Sequence, residues 1–226
     1  MTAAIHDTAD PGQRKHARGQ RTRAIILDRA ARIAIAEGLE GLSIGRLADD
    51  LGMSKSGLFA HFGSKEGLQI ATVAFSRDRF KREVIDQVAG HVPSPGLSRL
   101  WALANAYLER VEQNAARGGC FLYNVSAEFD ARPGAVRDAV AASLSAWLDA
   151  LEANVRAAVV NGELAPGTDI RLLTFELSAL LFAANRHSLL LDDNNAFDMA
   201  RRAAAQLLRR VMTNEEPLEL PSFPAN

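Results

Sequence analysis

The segment from Ser43 to Phe62 constrains the fold more than any other part of the 226-residue chain. A small residue, Ala48, stands where two short helices would touch, and Gly52 supplies the positive φ that a tight turn between them requires. Ser43 and Ser54 are good N-caps for the two helices. The inward positions are apolar, namely Leu47, Leu51, Met53 and Leu58. These spacings predict a helix-turn-helix.

The second helix of this pair begins with small and polar side chains. Ser54, Lys55, Ser56 and Gly57 follow one another at its start, and such an end can enter the major groove of DNA, which is ~12 Å wide. A glycine inside a helix costs roughly 1 kcal/mol relative to alanine. A close approach to DNA would account for Gly57, and the alternative is an ordinary solvated helix start.

Helical periodicity extends over the rest of the chain, and we find no strand-like alternation of useful length. We therefore expect an all-α fold of about nine helices. They are predicted over residues 20–37, 44–51, 54–62, 64–88, 98–116, 121–129, 133–160, 169–191 and 195–212. The expected domains are a flexible basic arm (1–19), the helix-turn-helix head (20–65), a larger helical body (66–212) and a flexible tail (213–226).

The net charge of −1 conceals an uneven distribution. Residues 1–82 contain 14 Lys and Arg against 9 Asp and Glu, whereas residues 83–226 contain 12 against 18. The basic part coincides with the helix-turn-helix and the acidic part with the body. Because binding depends on where charge lies, this distribution favours a nucleic-acid partner at one end of the molecule only.

Composition excludes several other classes of protein. A hydrophobic fraction of 48% with almost no net charge excludes a disordered chain, and the single cysteine excludes an intrachain disulfide. The first residues lack the apolar stretch of a secretory signal, so a cytoplasmic protein is expected. Residues 172–191 approach the length of a membrane span but contain Glu176, Arg186 and His187, which favours a helix buried on nearly all sides.

Enzymatic activity has little support in the sequence. The five histidines make no metal-ligand spacing with Cys120 or with paired carboxylates, and there is no glycine-rich phosphate loop and no nucleophile elbow. We therefore expect no catalytic residues, no metal and no cofactor. An exposed Cys120 with a lowered pKa could sense redox state, but a buried inert thiol is the expectation.

At this point the sequence resembles the tetracycline-repressor (TetR) family of transcriptional regulators. The resemblance covers roughly residues 20–75, and the string SKSGLFAHFGSKEGL, which begins at Ser54, is highly specific to that family. Gly38, Ile44 and Leu68 also match. The chain departs from the family at Phe59, where Tyr is usual and often contacts a phosphate, and at Ala60, where a larger residue is common. Since Phe59 cannot donate a hydrogen bond, packing is the role expected for it.

The resemblance implies a homodimer that binds palindromic operator DNA and carries a pocket for a small-molecule effector in its body. The last two helices, 169–191 and 195–212, are expected to form the dimer interface, and no membrane is expected as a partner. The expected DNA contacts are Thr22, Arg23, Ser43, Ser54, Lys55, Ser56, Gly57, Phe59, His61 and Lys65. The candidates for the effector pocket are polar or aromatic residues in apolar helices: Trp101, Tyr107, Phe121, Tyr123, Asn124, Trp147, Phe175, Phe182, Asn185 and His187.

The function expected from these features is a repressor that its effector releases from DNA. Two alternatives remain open at this level. One is an activator or a ligand-independent DNA-binding protein that uses the same head. The other is a ligand-binding or enzymatic helical body in which the helix-turn-helix is incidental.

Overall fold

The computed structural model of the chain describes residues 11–214 and Leu218. Over these residues it is all-α, and the one β-bridge, between Leu164 and Met212, is isolated. The α-helices are α1 (Pro11–Glu37), α2 (Ile44–Asp50), α3 (Lys55–Phe62), α4 (Lys65–Phe80), α5 (Gln87–His91), α6 (Leu97–Gln113), α7 (Phe121–Phe129), α8 (Ala135–Val160), α9 (Ile170–Leu190) and α10 (Ala196–Arg209). A π-helical stretch, Lys81–Asp86, joins α4 to α5 in one continuous rod. The described residues therefore form nine helical rods, which confirms the predicted fold.

Two helix starts differ from the sequence-based expectation. Helix α1 begins at Pro11 rather than near residue 20, so residues 11–19 of the expected flexible arm are helical, and residues 1–10 lie outside the described part. Helix α8 begins at Ala135 rather than Pro133, because Gly134 adopts a φ of 137°, which breaks the helical backbone between them.

The predicted C-terminal tail begins with an anchored residue. The Thr213 backbone N–H donates to the carbonyl oxygen of Glu163 at 3.1 Å, and the Thr213 hydroxyl donates to the carbonyl oxygen of Gly162 at 2.6 Å. Leu218 packs against the core of the body. The remainder of the tail, from 215 onward, otherwise lies outside the described residues.

Two apolar cores hold the molecule together, and one of them crosses the expected head–body boundary. The core of the head contains Leu47, Ala48 and Leu58 from the helix-turn-helix, and also Val125 of α7 and Val140 of α8. The second core lies within the body, among α6, α8, α9 and α10. Because α7 and the start of α8 contribute to the first core, a displacement of these helices also acts on the head.

Helix α9 has both a buried and an exposed face in the single chain. Leu177 and Leu181 are buried, whereas Leu172, Phe175 and Leu190 are exposed. The expectation of burial on nearly all sides is therefore met on one side only within the monomer. No helix among residues 11–214 is long and apolar enough to cross a membrane.

Candidate functional site

Both helices of the helix-turn-helix begin at a serine cap. The Ser43 hydroxyl accepts a hydrogen bond from the backbone N–H of Arg46 at 3.1 Å, and Ser54 accepts one from Gly57 N–H at 3.1 Å. Each bond satisfies one of the backbone donors that a helix start leaves free. Gly52 has a φ of 62°, as a turn between two helices requires. The predicted caps and turn are confirmed.

Helix α3 turns Leu58 into the core and presents three other predicted contact residues to solvent. Lys55 and Ser56 are exposed at its first turn, and the ring of Phe59 lies one turn further along, 53% exposed. The ring is not enclosed by the protein, so packing within the head does not account for it. The outward surface of α3 combines one cation, one hydroxyl and one aromatic ring.

Gly57 is explained by the cap of its own helix. A Cβ atom at this position would lie 2.9 Å from the Ser54 hydroxyl oxygen, closer than real Cβ contacts allow. A side chain here would therefore displace the hydroxyl that caps α3. Ser64 caps α4 in the same way, through Gly67 N–H at 2.9 Å, but there a Cβ on Gly67 would collide with the Phe62 carbonyl oxygen and not with the cap.

Arg23, which is expected to contact phosphate, holds the far end of α3. Its guanidinium donates to the carbonyl oxygen of His61 at 2.8 Å and lies 4.5 Å from the centre of the Phe62 ring. A cation at a helix C-terminus is favoured by the helix dipole. Thr22 donates its hydroxyl to the carbonyl oxygen of Arg18 at 3.0 Å, within α1. Arg23 therefore fixes the orientation of α3 against α1.

Lys65 and two arginines form ion pairs that join elements of the head. Lys65 Nζ lies 2.6 Å from a Glu40 carboxylate oxygen. Arg46 and Glu37 make a two-pronged pair, as do Arg29 and Asp50. These hydrogen bonds lower the pKa values of the Glu40, Glu37 and Asp50 carboxyls. Within the part of the head that the structure describes, Arg18, Arg21 and Lys55 form no ion pair.

A cavity of about 620 Å³ lies in the body, between the rod formed by α4 and the π-helical stretch, helix α6, the start of α7 and helix α8. Of the predicted effector-binding residues, Phe121 and Trp147 line it. The other lining residues are Ile35, Val73, Ser76, Arg77, Arg79, Phe80, Lys81, Ile85, Arg110, Val111, Asn114, Gly119, Cys120, Leu122, Ala142, Ser143, Ala146, Asp149 and Ala150. A cavity of this size can hold a drug-sized ligand.

The other predicted pocket residues lie elsewhere. Tyr107 and Trp101 are buried in the body core, and the Tyr107 ring stacks on Trp147, with centroids 5.7 Å apart. Phe182 packs against Tyr107. Phe175 and His187 are exposed on α9. These five do not line the cavity.

Three further predicted pocket residues form hydrogen bonds within the protein. The Asn185 side-chain oxygen accepts from Cys120 N–H at 2.9 Å, and Asn124 donates to the carbonyl oxygen of Gly118 at 2.8 Å. The Tyr123 hydroxyl accepts a bond from Arg186 at 2.6 Å. These bonds hold the start of α7 against α9, so the side chains are structural in this conformation.

The charged wall of the cavity was not predicted from the sequence. Arg77, Arg79 and Lys81 line it from the rod, and Arg110 lines it from α6. In the sequence these residues resemble the solvated face of a helix, because they alternate with Asp78, Glu109 and other charges. The π-helical stretch that begins at Lys81 changes the helical phase here, and π-helical turns occur frequently at functional sites. No sequence signal indicated it.

Helix α7 connects the cavity with the head. Its first residue, Phe121, lines the cavity. Near its other end, the Glu128 carboxylate accepts hydrogen bonds from the backbone N–H groups of Leu39 and Glu40, both at 2.7 Å. These two residues follow α1 and lead into the helix-turn-helix. One short helix thus contacts both candidate sites.

Cys120 caps α7 and is buried beside the cavity. Burial raises the pKa of its thiol, so the neutral form prevails near pH 7 and the thiol is a weak nucleophile. This environment agrees with the buried inert thiol expected from the sequence. Within residues 17–214, no cluster of His, Cys, Asp and Glu is arranged to hold a metal ion.

Two family models match the chain. The model described as bacterial regulatory proteins, tetR family, matches residues 26–72, and the model described as tetracyclin repressor-like, C-terminal domain, matches residues 96–204. The first match includes the helix-turn-helix, and the second includes α6 to α9 and most of α10. A comparison with curated proteins finds no match.

Solved structures share the fold over most of the chain. A TetR-family regulator from Cytophaga hutchinsonii has a TM-score of 0.72 at 21% identity, covering 88% of this chain and 98% of its own. One from Chloroflexus aurantiacus J-10-FL has a TM-score of 0.72 at 23% identity, covering 87% and 98%. AibR, solved with isovaleryl coenzyme A and operator DNA, has a TM-score of 0.63 at 20% identity, covering 84% and 98%. On its two matched domains and its fold, this chain belongs to the TetR family of transcriptional regulators.

Proposed function

We propose that the protein is a homodimeric repressor that binds a palindromic operator through α3 and is released when a small molecule occupies the cavity of the body. The observation that carries this proposal is the connection made by α7. Phe121 at one end lines the cavity, and Glu128 near the other end holds the backbone that leads into the helix-turn-helix. AibR, a structural neighbour, has been solved with both a ligand and operator DNA, which supports a function of this kind here.

The proposed contacts with base edges come from the exposed side of α3. Lys55 and Ser56 carry hydrogen-bond donors at the first turn, and Phe59 offers an apolar ring, which suits the methyl group of thymine. The N-terminal ends of α2 and α4 carry Ser43 and Lys65, and helix starts favour phosphate. Arg23, Gly57 and His61 would contribute mainly by fixing the position of α3, and Thr22 would contact phosphate from α1.

The proposed dimer interface is the exposed apolar face of α9 and α10. Leu172, Phe175 and Leu190 lie on the outer side of α9, and Met199 on that of α10. A groove of about 470 Å³ separates the two helices and is lined in part by Phe175 and Leu207. An exposed apolar patch of this kind marks an interaction surface. In a symmetric dimer, the same face on both chains would form a four-helix bundle.

Effector release requires that the ligand bind the DNA-free state more tightly than the DNA-bound state. The cavity borders α4, α7 and α8, which also contribute to the core of the head. We infer that a ligand that moves α7 changes the distance between the two recognition helices of the dimer. These helices need to be about 34–36 Å apart, one turn of DNA, or a multiple of that distance.

The DNA-binding part of this proposal is tested by Lys55→Ala. With an operator recovered from genomic fragments, fluorescence anisotropy should show about tenfold weaker binding, since a good base contact contributes about 1–3 kcal/mol. Arg156→Ala is the matched control, because this exposed cation pairs with Glu152 on α8, outside the head. Unchanged affinity of the Lys55 variant, with fold and dimer intact, would remove Lys55 from the proposed contacts.

A further inference from the structure

We propose that the effector is an amphipathic organic anion, in which an apolar body carries a carboxylate or phosphate group. This inference rests on the proposed assignment of the cavity as the effector site. It adds the chemical class of the ligand, which neither the fold nor the family defines. In the cavity, a wall of cations faces a wall of small and aromatic side chains, and this arrangement points to an amphipathic anion.

The cationic wall is formed by Arg77, Arg79, Lys81 and Arg110. Among the described lining residues, Asp149 is the only carboxylate, and it lies on the opposite wall, in α8. The surface that a ligand meets is therefore cationic on one side, because the carboxylates that pair with these cations do not line the cavity. A cationic ligand would be repelled there, whereas an anionic group would be attracted.

The ion pairs behind this wall do not fully neutralise it. Glu83 accepts hydrogen bonds from both Arg79, at 2.8 Å, and Arg110. Asp28 is likewise shared, by Arg79 at 3.1 Å and Arg32 at 2.9 Å. Arg32 does not line the cavity, but because it shares Asp28, neither Arg79 nor Arg110 has a carboxylate to itself.

The charged form of Arg110 is penalised by its position in this wall. Burial, reinforced by the nearby charge of Arg79, lowers the pKa of its guanidinium group. An anion bound in the cavity would offset both effects. Arg77 and Lys81 pair only with Asp78 and Asp86, which are exposed neighbours along the same rod. Exposed pairs of this kind contribute little stability, so these two cations can turn to a ligand at small cost.

The opposite wall suits an apolar body. Ala142, Ala146 and Ala150 recur every four residues on one face of α8 and leave an open slot. The ring of Trp147 forms the end of the slot and meets Phe80 edge to face, with centroids 5.2 Å apart. The indole N–H of Trp147, which is 2% exposed, has no hydrogen-bond partner among the described residues. The nitrogen itself is not accessible from the cavity, so the ring of Trp147, and not its N–H, is the part that a ligand would meet.

The experiment compares four probes that share one apolar chain and differ in the head group: decanoate, decyl phosphate, decanol and decylammonium. Trp101 and Trp147 are the two tryptophans of the chain, so the Trp101→Phe protein reports on the cavity through Trp147 fluorescence. We expect decanoate or decyl phosphate to bind at least about tenfold more tightly than decanol, the factor that a charge-assisted hydrogen bond provides. Decylammonium should bind most weakly. The tighter of the two anions identifies the head group.

Two arginine variants test whether the cationic wall causes the preference for anions. Arg110→Gln and Arg77→Gln should each reduce the ratio of anion to decanol affinity at least threefold while decanol binding stays unchanged, and Arg156→Gln on α8 should leave the ratio as it is. The Arg77 side chain lies near the surface, so its variant keeps the test valid if Arg110→Gln unfolds. Decanol binding as tightly as the anions, tightest binding of decylammonium, or no binding of either anion would overturn the inference.

The outcome for the effector class is separable from that for the proposed function. If the anions bind selectively but do not displace operator DNA, the class of ligand stands and effector release fails. If decanol binds as well as decanoate and displaces DNA, the proposed function stands and the anion preference fails. Fluorescence titration and operator displacement are therefore measured on the same protein preparations.

Discussion

At the scale of single residues, the start of the recognition helix shows how a local cap determines residue type. Ser54 accepts the N–H of Gly57, and the absence of a Cβ at Gly57 leaves room for the Ser54 hydroxyl. The sequence suggested that DNA required this glycine, whereas the structure shows a contact within the head itself, where a Cβ would press on the capping hydroxyl. The cost of a mid-helix glycine is thus offset within the head itself.

Gly57→Ala should therefore destabilise the protein, although alanine is the better helix former. Loss of an N-cap costs about 0.5–2 kcal/mol, which we expect to exceed the gain in propensity. Gly90→Ala in α5 is the matched control, since a Cβ there meets no atom within 4 Å and should be neutral or stabilising. Urea denaturation measures both variants. Stabilisation by Gly57→Ala equal to that by Gly90→Ala would contradict the account.

The role of a residue could be predicted from the sequence when its hydrogen-bond partner lies close to it along the chain. Ser43 and Ser54 cap helices through backbone groups three residues away, and both caps were predicted correctly. Arg23 and Lys65 find their partners 38 and 25 residues away, respectively. The local sequence pattern does not indicate pairs between residues so far apart in the chain. Both side chains were therefore interpreted as free cations available to phosphate.

At the scale of helices, the face formed by α9 and α10 is the proposed dimer interface. Phe175 is 68% exposed in the single chain, and such a large apolar ring in water indicates a missing partner. Leu207, from the same groove, is only 4% exposed. A charge at Leu207 would therefore damage the monomer core, whereas a charge at Phe175 tests the interface alone.

Phe175→Glu should convert the dimer into monomers at micromolar concentration, since it replaces a large apolar ring of the proposed four-helix interface with a charge that is costly to bury. Sedimentation velocity measures the change, and circular dichroism should show an intact helical fold. Val160→Glu is the control, because Val160 is equally apolar and exposed but ends α8, outside this face. A dimeric Phe175 variant would exclude the proposed interface.

Helix positions were largely predictable, whereas the cavity between helices was not. Helical periodicity predicted α7 at its observed bounds, and α9 within one residue at each end. The cavity depends on how the rod containing Lys81 packs across α8, which is a tertiary property. Only Phe121 and Trp147 of the ten predicted pocket residues line it, because an aromatic in an apolar helix is equally suited to the core.

At the scale of the whole molecule, the head is connected to the body through both packing and hydrogen bonds. Val125 and Phe129 of α7 lie in the core of the head, and Glu128 holds the segment between α1 and α2. This connection provides a physical route by which a ligand beside Phe121 can act on the helix-turn-helix. The basic charge of the head and the acidic charge of the body further orient the molecule on DNA.

Glu128→Gln should weaken this connection, since one of the two acceptors becomes an amide donor facing a backbone N–H. A hydrogen bond to a charged group contributes about 1.5–3 kcal/mol. We expect lower stability in urea and faster hydrogen exchange at the Leu39 and Glu40 amides. Glu152→Gln, in an exposed pair with Arg156, is the control. Unchanged exchange at both amides would show that Glu128 does not hold this segment.

The central claim is that two copies of α3, related by a two-fold axis, read one operator. The most direct test is the selection of genomic DNA fragments bound by the purified protein, followed by sequencing. The account predicts an enriched sequence of two inverted half-sites, about one helical turn or somewhat more apart, with affinity that falls steeply as salt rises. Enrichment of a sequence without two-fold symmetry, or no enrichment over unbound DNA, would contradict it.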